Sequence, residues 1–223
     1  PSKNLAGVGV AFYLLSGLRK TLRDIGWFTD NGMEEPNMAA WLDLVALGTV
    51  ADVVPLDQVN RALVHQGLMR IRSGRCRPGI QALLRIAGKN PKRLVATDLG
   101  FAIGPRLNAA GRLDDISLGI QCLLTDDLNE AMQTAESLDE LNKERRSIEQ
   151  SMQKEAMMEL DKLTLDSERL PSALCLFRPD WHQGVVGLLA SRLKEKHHRP
   201  VVAFARADDG SLKGSSRSIP GLH

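Results

Sequence analysis

From Asp127 to about residue 164 the sequence holds a single helical pattern, and that stretch limits every fold the chain could adopt. Leu128, Ala131, Met132, Ala135, Leu138 and Leu141 keep helical spacing, and Ile148, Met152, Ala156, Leu160 and Leu163 resume it. At about 1.5 Å per residue such a helix runs roughly 55–60 Å, longer than a typical domain helix. Its polar middle, "NKERRSIEQ", suits a segment wetted on most sides, as in a connector between lobes. Asp127 followed by Glu130 resembles a capping box at its start, and Pro171 forbids continuation.

The two flanks read differently. Before the long helix the pattern is helical: residues 5–23, about 37–48, 58–73, 78–87, 97–112 with an interruption at "GPR", and 116–124. The first of these is apolar on nearly all sides, which implies burial. Gly7 and Gly9 cost about 1 kcal/mol each inside a helix; close backbone packing and a frayed first turn both account for them. "TDNGMEEPN" (29–37) is a loop by its Asn-Gly and Pro signals. After Pro171 come "SALCLF" (172–177) and "PVVAFA" (200–205), suited to buried strands, with an amphipathic helix at 183–196 between them. Strand, helix, strand predicts a βαβ unit with parallel strands, and "LKGSSRS" (212–218) adds a third strand. The chain therefore reads as α/β overall: a helical first part, a connector helix and an α/β second part.

Composition narrows the class of function. The 29 basic and 27 acidic residues leave a net charge of +2, so any nucleic-acid surface must come from local clustering. Cys76, Cys122 and Cys175 are odd in number and form no CxxC pair, which argues against a disulfide framework or zinc site and for a reducing, cytoplasmic setting. No apolar run approaches the roughly 20 residues of a membrane span. The start at Pro1 and the end at "SIPGLH" are those expected of a piece of a longer protein.

Several residues stand out chemically. Asp52 follows the apolar run "LVALGTVA". A carboxylate buried there needs a cation or hydrogen-bond donors; it fits a ligand for a hard divalent metal, while spacing alone favours the N-cap of the next helix. In "GPRLNAAGRLDD" (104–115), Arg106, Asn108 and Arg112 stand among small residues. Arginine grips phosphate through a bidentate fork, or pairs with a neighbouring acid. His182, after Trp181 and before a helix, could face a phosphate or reacting group at that helix N-terminus, or cap it. Ser215 and Arg217 in "KGSSRS" offer a hydroxyl and a guanidinium to one phosphate from one face of a strand; the alternative is a polar edge strand. Arg70, Arg72, Arg75 and Arg77, with Lys89, Lys92 and Arg93, could track a nucleic-acid backbone or form solvated turns. Aromatic residues make up only 4%, too few for an extended stacking platform.

Together and in this order, "ALGTVADVVPL", "GPRLNAAGRLDD", "WHQGVVGLLASRL" and "KGSSRSIPGLH" resemble the RecJ family of single-strand-specific 5′→3′ exonucleases, within the DHH phosphoesterase superfamily. The resemblance covers essentially the whole chain. It implies the C-terminal part of a DHH catalytic domain over residues 1–126, a connector helix over 127–165 and the start of a DHH-associated domain over 166–223. It implies Asp52 as a catalytic metal ligand, Mn²⁺ or Mg²⁺ as the metal, and His182 in the active site. Arg106, Asn108, Arg112, Ser215 and Arg217 would be phosphate-binding. Single-stranded DNA would be the substrate, in repair and recombination, with single-strand-binding protein and a recombination helicase as partners and no membrane. The family's first three motifs, which hold most metal ligands, have no counterpart in this sequence, so the chain alone is expected to be inactive. A small-nucleotide or oligoribonucleotide phosphodiesterase and a non-catalytic DHH-like binding protein are the alternatives. "GSSRS" in place of a glycine/histidine-rich loop argues against the former.

Overall fold

The computed structural model describes residues 2–166 and 171–222, with the backbone alone for residues 162–166. Contacts group the chain into two compact units. The first holds residues 1–111 and 116–139, and the second residues 112–115 and 140–223.

In the first unit the helices are α1 (Gly7–Asp24), the short α2 (Trp27–Asp30), α3 (Leu42–Ala51), α4 (Gln58–Arg72), α5 (Pro78–Ile86), α6 (Ala96–Asp98), α7 (Gly104–Leu113) and α8 (Ser117–Leu124). The long α9 (Leu128–Asp166) begins here. Helix α3 is apolar around its whole circumference, as a central helix should be, and it packs directly on α4. The contact depends on Gly67: a Cβ there would fall 2.2 Å from the Leu42 carbonyl oxygen and 2.3 Å from the Ala46 Cβ. Asp57 caps α4, its Oδ1 accepting from the Asn60 N–H at 3.0 Å. That backbone bond, then the Ser2 hydroxyl, hold the Asp57 carboxyl below the usual range. The buried Asn60 side chain ties the entry to α4 together, donating to the Asn4 and Pro55 carbonyls at 2.8 Å each.

Three expectations change here. The apolar start of α1 is not enclosed: only Gly9 is buried, and Leu14 and Leu18 are 71% and 52% exposed. Helix α1 approaches α3 closely where Val8 sits over Gly48, at which a Cβ would lie 2.7 Å from the Val8 Cγ1. The remaining apolar face is of the kind that marks an interaction surface. Nor does "GPR" break a helix. The irregular turn precedes it, as a π-helical turn at Leu99–Ile103, and Gly104, Pro105 and Arg106 open α7. Proline lacks an N–H, which costs little in a first turn where that donor is unused. Finally, Asp127 accepts from the Asn129 N–H at 2.7 Å. The Glu130 carboxylate, however, takes the Thr125 hydroxyl instead of reaching back, so the capping box is half formed.

The second unit contains the remainder of α9, β1 (Leu174–Arg178), α10 (Val186–His197), β2 (Val201–Arg206) and β3 (Leu212–Arg217). The sheet order is β1-β2-β3. Strands β1 and β2 are parallel, with Leu174 opposite Val201, and α10 makes the crossover, as the βαβ pattern predicts. β3 returns antiparallel, with Ala203 opposite Ser215 and Val201 opposite Arg217. The core of this unit joins Ala156 and Leu160 of α9 to Leu189 and Leu193 of α10 and to Val201 and Ala203 of β2. Trp181 belongs to the same core, its indole N–H donating to Glu155 at 2.9 Å. Among the described residues no helix is long and apolar enough to cross a membrane.

Gly67→Ala is expected to force α3 away from α4 and to destabilise the first unit by about 1–3 kcal/mol. Urea unfolding followed by far-UV circular dichroism checks this. An unchanged midpoint would show that the helices part without cost.

Candidate functional site

Asp52 is exposed and occupies the C-cap position of α3. It is neither the buried carboxylate expected from the apolar run nor the N-cap of α4, since Asp57 has that role. The buried aspartate of this region is Asp43, whose oxygens accept from the Leu44 and Arg77 N–H groups at 2.8 Å each. Among the described residues the Asp52 side chain makes no hydrogen bond or ion pair. Its position at the negative end of a helix is electrostatically unfavourable for an anion. The next residue, Val53, has φ 55°. A β-branched residue in the left-handed region stores strain on the order of 1–3 kcal/mol, the kind that collects at functional sites. A largely apolar groove of about 300 Å³ lies alongside, lined in part by Val53, Val54, Gly100 and Phe101.

The "GPRLNAAGR" stretch begins next to this end of α3: a Cβ on Gly104 would lie 3.6 Å from the Ala51 Cβ. Arg106 is not free for a ligand. Its Nε and Nη2 meet Asp139 Oδ1 at 2.8 and 2.7 Å, and its Nη1 donates to the Ala102 carbonyl at 2.6 Å. This is the acid-paired alternative, with the partner 33 residues away in sequence. Asn108 is exposed on α7.

Arg112 groups with the second unit. Its Nη1 donates to the Gly184 carbonyl at 3.2 Å. Its own carbonyl lies where a side chain at residue 184 would start, 2.1 Å from a Cβ there, so only glycine fits. Gly184 in turn donates its N–H to His182 Nδ1 at 3.1 Å, which leaves Nε2 as the ring's donor in the neutral state. The His182 carbonyl accepts from Val185 and Val186 as α10 begins. Arg145 on α9 is near enough to Arg112 to be perturbed by it. Burial first, then repulsion from Arg146 and Arg112, lowers the Arg145 pKa, against the attraction of Glu149.

Ser215 and Arg217 do share a face. Arg217 Nη1 donates to Ser215 Oγ at 2.8 Å and to the Ser216 carbonyl at 2.7 Å, and Nε donates to Ser191 Oγ at 3.0 Å. Both side chains crowd Gly187 of α10, where a Cβ would stand 3.1 Å from Arg217 Nη2 and from Ser215 Oγ. Ser191 and Gly187 escaped the sequence reading. Their separation of four residues on one helix, facing a polar strand, was the available signal. The buried Glu149, which holds Arg145 at 2.7 Å and Arg192 at 3.2 Å, was not legible in the sequence either.

The donor set fits a metal only in part. Asp52 offers two free carboxylate oxygens, the chemistry Mg²⁺ and Mn²⁺ prefer, but no group of three or more His, Cys, Asp or Glu converges among the described residues.

Residues 170–223 match the DHHA1 domain family. Over its whole length the chain is 63% identical to the single-stranded-DNA-specific exonuclease RecJ of Salmonella typhimurium and 61% identical to that of Escherichia coli, covering 39% of each. It thus spans about two fifths of the length of these relatives. A crystal structure of exonuclease RecJ bound to manganese aligns with a TM-score of 0.79 at 34% identity, over 100% of this chain and 51% of that one. The Thermus thermophilus RecJ in complex with Mg²⁺ aligns with a TM-score of 0.75 at 36% identity, over 96% of this chain and 30% of the other. By sequence along its entire length, and by fold, the chain is similar to the RecJ exonucleases, and its residues 170–223 match the DHHA1 domain family.

Proposed function

We propose that the protein to which this chain contributes removes nucleotides from the 5′ end of single-stranded DNA, by metal-dependent phosphodiester hydrolysis, in repair and recombination. The observation that carries this reading is the arrangement on β3 and α10. Arg217 is held by Ser191 and Ser215 with its Nη2 over Gly187, so a guanidinium and a hydroxyl meet above the first turns of a helix. A terminal phosphate is the charge that distinguishes a 5′ end, and it suits those donors. Each charge-assisted bond contributes on the order of 1.5–3 kcal/mol.

The other residues take supporting parts. Arg112 fixes the 182–185 turn through Gly184 and adds positive charge, and His182 offers its Nε2 proton to a phosphate oxygen. Asn108 extends the polar surface of α7. Arg106 acts by position, bracing α7 against Asp139. Asp52 serves as one ligand of a catalytic Mn²⁺ or Mg²⁺, with the remaining ligands drawn from the part of the relatives' length that this chain does not span. Such a metal, when bound, supplies an activated water and stabilises the developing negative charge. Single-strand-binding protein and a recombination helicase are the partners this reading brings with it. A phosphodiesterase for small nucleotides is the less favoured reading, because "GSSRS" places an arginine and serines where a histidine-rich glycine loop would stand.

Asp52→Asn in the whole protein is expected to lower hydrolysis at least about a hundredfold, as the loss of a metal ligand should, while binding of single-stranded DNA is largely kept. Near-normal cutting would make Asp52 a simple helix terminator. Arg217→Ala is expected to slow degradation of 5′-phosphorylated DNA more than that of 5′-hydroxyl DNA, with Arg217→Lys intermediate because it lacks the fork. Rates on matched oligonucleotides measure this, and equal losses on both end groups would remove the terminal phosphate from the account.

A further inference from the structure

Residues 58–97 contain nine lysines and arginines and no aspartate or glutamate. With 27 acids in 223 residues, an even spread would put about five in such a stretch. The whole chain is only +2, so the rest of it is net negative and this stretch carries the excess.

The fold gathers these charges. Arg72, in the last turn of α4, donates from Nε and Nη2 to the Leu94 carbonyl at 2.8 and 2.6 Å. That bond fastens the end of α4 to the single turn Pro91–Arg93, which Asn90 caps through the Lys92 N–H at 3.0 Å. The two basic clusters of the sequence, 70–77 and 89–93, therefore become one surface. Arg75, Arg85, Lys92 and Arg93 are exposed and have no acidic partner among the described residues. Asp98, the first acid after the stretch, is taken by Lys89 at 2.8 Å. Beside Arg75 in sequence, the Arg77 guanidinium lies 4.6 Å above the ring of Trp41, which is 40% exposed.

We propose that this surface binds the phosphate backbone of single-stranded nucleic acid. It uses none of the residues given a role in the proposed function and does not depend on the role of Asp52. Unpaired cations on one face are costly through mutual repulsion, and a polyanion relieves that repulsion while releasing its own counterions. Seven of the nine cations are arginines, whose fork matches phosphate. An exposed tryptophan beside them offers a ring to an unstacked base. A single strand presents phosphates and ring faces together, whereas an acidic peptide presents only the charges.

The test compares the whole protein with R75Q/K92Q/R93Q and with the control K3Q/K20Q/K154Q, which removes three exposed lysines elsewhere. Binding of fluorescein-labelled oligo(dT) is followed by anisotropy in EDTA over a range of salt. Three lost phosphate contacts at about 0.7 each should flatten the slope of log affinity against log salt by about 2. The control should leave the slope nearly unchanged. R93Q alone should flatten it by about 0.7, so the test survives if the triple variant is unstable. Unchanged slopes, or equal changes in variant and control, would overturn the proposal. So would loss of binding to poly-glutamate with oligo(dT) binding intact, which would assign the surface to an acidic protein partner.

Discussion

The carbonyl of Leu42 lies where a side chain on residue 67 would begin, and much of the first unit follows from that approach. With no Cβ in the way, α3 rests on the backbone of α4 and becomes the helix around which the others pack. Its middle is enclosed, with Ala46 fully buried and Val45 and Leu47 nearly so. The chain returns to solvent only at the helix end, where Asp52 stands next to a strained Val53. The same device recurs in the second unit. There the Arg112 carbonyl lies against Gly184, which seats the turn that orients His182 before α10.

The arginines divide by what surrounds them. Arg106 and Asp139, at 13% and 12% side-chain exposure, form a pair whose charges are largely out of water. Removing one partner of such a pair costs far more than the pair contributes, so Arg106 is a brace. Arg145, shared between Glu149 and Asn142, is another. Arg217 differs: it is exposed, held by hydroxyls and a carbonyl, and among the described residues no carboxylate neutralises it. Arg75 and Arg93 likewise have no acidic partner among the described residues. A guanidinium kept in place by neutral acceptors retains its full charge for an anion, and that distinction is what makes Arg217 a candidate site residue and Arg106 a scaffold residue.

The sequence was most legible where periodicity and short-range geometry decide the outcome. The long helix, the βαβ unit and the third strand all follow from spacing, and so does the shared face of Ser215 and Arg217. It was least legible where a distant partner decides. Nothing near Arg106 in sequence points to Asp139, and nothing near Asp43 points to the Arg77 N–H. Apolar character also misled in both directions. The start of α1 is as greasy as a core helix but stays open, since helical pattern records what a face prefers and not what covers it. Asp52 follows a buried run, but the cap geometry lifts it into solvent. Two aspartates, 52 and 57, flank the same turn, and only hydrogen-bond geometry tells the cap from the candidate ligand.

Asp52 is exposed and has no partner among the described residues, and we propose that it stands at this unfavourable helix end because it holds a metal. Manganese anomalous diffraction from crystals of the whole protein tests this most directly. The account predicts an anomalous peak about 2–2.5 Å from an Asp52 carboxylate oxygen, within the range of oxygen ligands to hard divalent cations. A well-ordered manganese peak fully coordinated by other residues, with Asp52 turned to solvent, would contradict it.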